Sequence, residues 1–133
     1  MNFFDAIKIC FVKYTDFSGR ASRSEFWLFT LFLFIVSIVL LFLDPMLAGE
    51  AFLEYDDIFA PLGTIFSIIT FIPAISVTAR RLHDVNRSGW WMLIWFTVIG
   101  IVPMLYWNCK KGDLEENRFG VNPFVKDPSL PNR

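Results

Sequence analysis

Residues able to carry chemistry are scarce in this chain. Its 133 residues include one histidine, His83, and two cysteines, Cys10 and Cys109. The cysteines lie near opposite ends with no CxxC pair, so two unpaired thiols near membrane boundaries are the expectation, with no disulfide and no dithiol centre. No set of His, Cys and carboxylates has ligand spacing, so no metal and no cofactor is implied. An excess of positive charge is missing too: the net charge is −1, and that total implies no nucleic-acid partner. Charge is absent from three long stretches, and the loop 44–57 has no cation at all.

What is abundant is apolar surface. Hydrophobic residues make up 55% of the chain, with sixteen Phe and five Trp, against ~45–50% apolar in soluble proteins. A soluble core interleaves such residues with polar ones, whereas here they form unbroken runs. The run Phe26–Leu43 carries no charge and only Thr30 and Ser37 as polar interruptions. At ~1.5 Å per residue it covers about 27 Å, close to the ~30 Å hydrocarbon core of a bilayer. A cleaved signal peptide fits poorly, because 25 residues precede the run and no small-x-small site follows it. It is predicted as a spanning helix.

A second span is predicted over 58–79. Pro61 suits its first turn, where a missing N–H is harmless. Pro73 should kink it, which membrane helices tolerate when a neighbour satisfies the freed carbonyl. Gly63, Ser67, Thr70, Ala74 and Thr78 recur at helical spacing and form a candidate stripe for close helix packing. The third run, 89–107, opens on Trp90 and Trp91 and closes on Tyr106 and Trp107. Aromatic pairs ~25 Å apart suit the two interfacial belts of a full span. Gly100 and Pro103 leave a re-entrant hairpin open as the second form. Before the first span, residues 2–14 place Phe3, Ile7, Cys10, Phe11 and Tyr14 at helical spacing, the pattern of a short amphipathic interfacial helix. The polar tail 108–133, with Pro123, Pro128 and Pro131, is expected to fray at its end. The fold class is therefore an all-α integral membrane protein in a single membrane domain, with three transmembrane helices expected, the third open to re-entry, and a short N-terminal amphipathic interfacial helix.

Cations set the expected orientation. Lys8, Lys13, Arg20 and Arg23 precede the first span, and Arg80, Arg81 and Arg87 follow the second. The loop between those spans carries Asp44, Glu50, Glu54, Asp56 and Asp57. The positive-inside rule then puts the N-terminus and the Arg80–Arg87 loop in the cytoplasm and the acidic loop outside. The five cations of the tail, Lys110, Lys111, Arg118, Lys126 and Arg133, lie outside if 89–107 spans and inside if it re-enters. Charge favours re-entry, while length and aromatic placement favour a span, so the side of the tail stays open.

Several polar motifs have local explanations. Ser22-Arg-Ser-Glu25 reads as a capping box ahead of the first span, with Glu25 reaching back toward the Ser22 N–H. Ser88 suits the cap of the third segment. Arg80 and Arg81 suit the negative end of the second helix and lipid phosphates. Taken together, four blocks resemble one bacterial family. They are Gly19-Arg-Ala-Ser-Arg-Ser-Glu-Phe-Trp27, Ala79-Arg-Arg-Leu-His-Asp84, Asn86-Arg-Ser-Gly-Trp-Trp91 and Glu116-Asn-Arg-Phe-Gly-Val-Asn-Pro123. The family is the inner-membrane "domain of unknown function 805". The resemblance implies a small, multi-pass protein of the bacterial inner (plasma) membrane and brings no activity, substrate or cofactor with it.

Arg20, Arg23, Glu25, Arg80, Arg81, Asp84 and Arg87 are expected to meet in one cytoplasmic ion-pair cluster. His83, Asn117 and Arg118 join them as a candidate surface for anionic headgroups or a partner protein. The residues best support a non-enzymatic component that scaffolds, assembles with itself or another membrane protein, or organises lipid. A subunit of an oligomeric transporter or channel is the first alternative, although the spans hold only Ser and Thr as polar groups. An enzyme acting on a lipid or phosphate group is the second, with His83 as base and Asp84 or Glu25 as its partner. Adjacent helical residues do not face each other, so a His83–Asp84 dyad requires a non-helical turn.

Overall fold

The computed structural model describes residues 1–49 and 60–124. The acidic residues Glu50, Glu54, Asp56 and Asp57, and the tail beyond Phe124, lie outside the described residues. Among the described residues, four α-helices and one 3₁₀ segment follow each other: α1 (Phe3–Val12), α2 (Arg23–Ala48), α3 (Pro61–Asp84), the 3₁₀ segment (Gly89–Phe96) and α4 (Ile101–Cys109). Among the described residues, an isolated bridge between Asn117 and Gly120 is the sole β pairing.

α2 begins where the capping pattern predicts. Ser22 is in extended backbone and its hydroxyl accepts from the Glu25 N–H at 3.1 Å. Its apolar side chains mostly face outward: Leu31, Phe34, Ile35, Ile38, Val39, Leu41 and Phe42 are all exposed. A soluble core helix would bury that face, so the exposed belt is surface for lipid. Among the described residues, α2 and α3 are the two helices long and apolar enough to cross a bilayer. They pack side by side, with α1 laid against both around Cys10, Ala21, Phe26, Phe29 and Val77.

Two polar repairs hold α3. Pro73 has no N–H for the Ile69 carbonyl four residues earlier. The Tyr14 hydroxyl donates to that oxygen at 2.7 Å, so the segment after α1 supplies the missing donor. At the other end Ala60 offers no capping side chain and Pro61 no N–H. Asp44 does the capping from α2: its carboxylate accepts from Leu62 N and Gly63 N, both at 2.8 Å. Asp44, assigned above to the acidic loop, is thus a buried helical residue. Glu25 and Asp44 are nineteen residues apart on α2, about 28 Å along the axis and close to the ~30 Å hydrocarbon thickness.

Members of the small-residue stripe have separate uses. Gly63 makes room for Asp44, whose Oδ2 would lie 3.2 Å from an added Cβ. Thr70 is buried, Ala74 packs on the core, Thr78 is half-buried, and Ser67 is exposed.

Residues 89–107 depart from a continuous helix. The 3₁₀ segment ends at Phe96, and a turn over Thr97–Gly100 reverses the chain into α4. The Thr97 hydroxyl donates to Ile94 O and accepts from Gly100 N. A Cβ at position 100 would lie 1.8 Å from Ile94 O, so the turn requires glycine. Pro103 follows in the first turn of α4, where its missing N–H is harmless. The aromatic ends, expected ~25 Å apart in a full span, instead meet: the Trp91 and Trp107 rings are 5.5 Å apart.

Candidate functional site: a polar cap at one end of the helix pair

The hairpin 89–107 returns the chain to the end of α3 that bears Arg80, Arg81 and Asp84, where residues 108–122 fold over it. Each arginine there has a distinct task. Arg80 is fully buried and pairs with Glu25, joining α3 to α2. Its carbonyl accepts from Ala21 N at 2.9 Å, which fastens the connection between α1 and α2. Glu25 therefore turns to Arg80 rather than back to Ser22 as a reciprocal capping box would require.

Arg81, also fully buried, pairs with Asp84 one turn away. Its other nitrogens donate to Trp107 O, Asn108 O and Lys110 O. Those are carbonyls at the end of α4, which lack intrahelical donors, so one guanidinium caps the hairpin. Arg20 reaches Asp84 from the opposite side at 2.9 Å and donates to the carbonyls of Asp113, Glu115 and Gly120. Asp84 thus serves two arginines, and its backbone oxygen accepts from Asp113 N at 2.9 Å. Gly112 must be glycine for this closure, since a Cβ there would fall 1.9 Å from Asp84 Oδ2.

Buried charge does not cancel within the cap. Three guanidinium groups (Arg20, Arg80, Arg81) face two carboxylates (Glu25, Asp84), and main-chain carbonyls accept much of the excess. Among the described residues, Nε and Nη2 of Arg80 and both side-chain polar atoms of Asn108 have no hydrogen-bond partner. The Cys10 thiol lies 4.0 Å from Glu25. Burial first, and then the Glu25 charge, pushes its pKa up to about 12.

The remaining sequence candidates sit around this core rather than in it. Arg23 is exposed and touches Cys109 O at 3.4 Å. Arg87 is exposed, its guanidinium 5.2 Å from the centre of the Trp107 ring. His83 donates through Nδ1–H to Gly19 O at 3.0 Å and stacks flat on Phe119 at 3.9 Å, so no dyad forms with Asp84. Asn117 links His83 O to Asp113. Arg118 lies over Phe119 and donates to Asn86 O. Tyr14, Asp44, Asn108, Gly112 and Phe119 were not singled out from sequence as a site; their partners lie across the fold and no local spacing marks them. A half-open cavity of about 160 Å³ lies between Arg23, Lys111 and the Gly112–Leu114 turn. Among the described residues, no three His, Cys, Asp or Glu side chains converge as metal ligands.

Comparison with known proteins finds relatives named as inner membrane proteins. Inner membrane protein YhaH of Escherichia coli K12 is 40% identical over 117 residues, covering 84% of this chain and 89% of the relative. Inner membrane protein YhaI of the same strain is 38% identical over 112 residues, covering 84% and 88%. No solved structure matches. The family model described as "Protein of unknown function (DUF805)" matches residues 14–121, a range that runs from Tyr14 to Val121 and takes in Arg20, Glu25, Arg80, Arg81 and Asp84. The chain belongs to the DUF805 family.

Proposed function

We propose that this protein is a non-enzymatic inner-membrane component that gathers anionic lipid around a rigid cytoplasmic cap. In this reading α2 and α3 cross the bilayer and 89–107 re-enters, so the N-terminus and the tail share the cytoplasmic side. The observation that carries it is the sorting of charge: the cap's buried acids are engaged internally, while Arg23, Arg87, Lys110, Lys111 and Arg118 are exposed around it. Glu115 and Glu116 are exposed acids of the tail and line a surface hollow with Lys111, so the exposed cations outnumber them around the cap. Exposed cations beside Trp91 and Trp107 suit lipid phosphates at the level of the headgroups.

The geometry gives the other readings less to work with. An enzyme using His83 as base would act through Nε2, since Nδ1–H donates to Gly19 O; among the described residues no carboxylate pairs with the ring, and Phe119 covers one face. A pore along Ser67 and Thr70 would need both hydroxyls facing one path, yet Thr70 is buried and donates to Phe66 O. The test is lipid retention by the protein purified in mild detergent from membranes of mixed composition. Native mass spectrometry should find anionic phospholipid in excess of its share of the membrane. The triple variant Arg23→Glu, Lys110→Glu, Lys111→Glu should lose that excess while keeping its fold. Retention in proportion to abundance, or retention unchanged in the variant, would overturn the proposal.

A further inference from the structure

The hairpin 89–107 has the wrong dimensions for a span and the wrong surface for water. Its 3₁₀ arm has eight residues and α4 has nine. These are about 16 Å and 13 Å long at ~2.0 and ~1.5 Å per residue. Each arm reaches about halfway through a ~30 Å hydrocarbon core. The tip is apolar and almost wholly exposed: Phe96 is 88%, Val98 85% and Ile99 87% accessible. At the mouth stand Trp91 and Trp107 together, with Arg87 on the Trp107 ring and Lys110 and Lys111 next in the chain. That order (cations, paired indoles, bare hydrocarbon) matches the polarity profile of one leaflet read from headgroup to midplane.

From this juxtaposition we infer that the hairpin is a one-leaflet wedge, its tip occupied on all sides by acyl chains of the leaflet that faces the polar cap. The inference rests on the two-span reading above and adds a physical consequence to it. α1 docks at the same end of α2, its Cys10 beside Glu25, and leaves Phe4 and Val12 exposed there. Near the Asp44 end, among the described residues, α2 and α3 stand alone. The described residues therefore displace more lipid from the cap-side leaflet than from the other. Such a shape favours bilayers that bulge toward the cap, as interfacial insertions do in general.

The experiment reconstitutes the full chain into phosphatidylethanolamine–phosphatidylglycerol vesicles of mixed diameter. A fluorophore on exposed Cys109 counts outward-facing caps on each vesicle. Protein per membrane area should rise as diameter falls, and the double variant Phe96→Ser, Ile99→Ser should lose that dependence. Both side chains are nearly fully exposed, so the variant tests lipid contact without disturbing the core. A flat density for the native chain, or a size dependence that survives in the variant, would overturn the wedge. A nitroxide on Ile99→Cys, in a background of Cys10→Ala and Cys109→Ala, reads depth separately. Collisions with oxygen rather than with a water-soluble nickel chelate are expected. Strong nickel collisions would sink the wedge alone, leaving retention of anionic lipid as its own result.

Discussion

Replacing Tyr14 by Phe removes one oxygen, and its effect follows from Pro73. In an uninterrupted helix the Ile69 carbonyl would accept from the N–H of residue 73, which proline lacks. Tyr14 Oη fills that role at 2.7 Å. Without the hydroxyl, a carbonyl in the middle of an apolar helix loses its donor, at about 1–3 kcal/mol. The loss should depend on the proline. In a Pro73→Ala background the residue 73 N–H can take Ile69 O, and the hydroxyl becomes redundant. A double-mutant cycle in bicelles, read by steric trapping or reversible denaturation, should give a coupling of roughly 1–2 kcal/mol. Tyr14→Phe costing the same in both backgrounds would refute this account, because the bond would then have no connection with the proline.

Three further outcomes follow. Asp44→Ala removes both acceptors from the start of α3 and should destabilise by about 1–3 kcal/mol, with Asp44→Asn milder, measured by the same unfolding assay. Gly112→Ala drives a Cβ into Asp84 and should release the tail from the cap, seen as faster proteolysis between residues 110 and 120 while α2 and α3 stay intact. Cys10, with its thiol pushed up to about 12 and buried, should resist maleimide at pH 8 while exposed Cys109 reacts. The protonated thiol is the inert form, so Cys10 labelling should rise only on unfolding or as pH climbs toward that value. Equal labelling of both thiols in the folded protein would contradict the burial.

Local signals made the two long helices legible. Uninterrupted apolar runs, the Ser22 cap and Pro61 near a helix start are all short-range features, and each marks an element that forms. The meeting of Glu25 with Arg80, and of Asp84 with Arg20 and Arg81, was also readable, since both blocks adjoin helix ends on one side. The third segment reads two ways, as a span from its length and aromatic spacing and as a re-entrant hairpin from Gly100, Pro103 and the charge count, because hydropathy alone does not report chain reversal. The reversal depends on a Cβ-free approach at Gly100 and a hydroxyl at Thr97. Asp44 and Tyr14 were out of reach for a related reason. Each repairs a defect in α3 from elsewhere in the chain, and that pairing exists only after α2, α3 and the α1 connection have packed. Arg23 and Arg87 were grouped with the cluster by sequence proximity, but their positions put them on its rim.

The central claim is that the N-terminal connection and the tail lie on one side of the membrane, closed into one cap. Cys10 is too deeply buried to report its side, so the measurement compares native Cys109 with an exposed reporter, Thr15→Cys, each as the single reactive thiol. An impermeant maleimide is applied to spheroplasts and again after lysis. Protection of both sites in intact spheroplasts and labelling of both after lysis is the result this account predicts. Labelling of Cys109 in intact spheroplasts with Thr15→Cys protected would make 89–107 a third span, separate Arg20 from the carbonyls of residues 113–120, and contradict the cap.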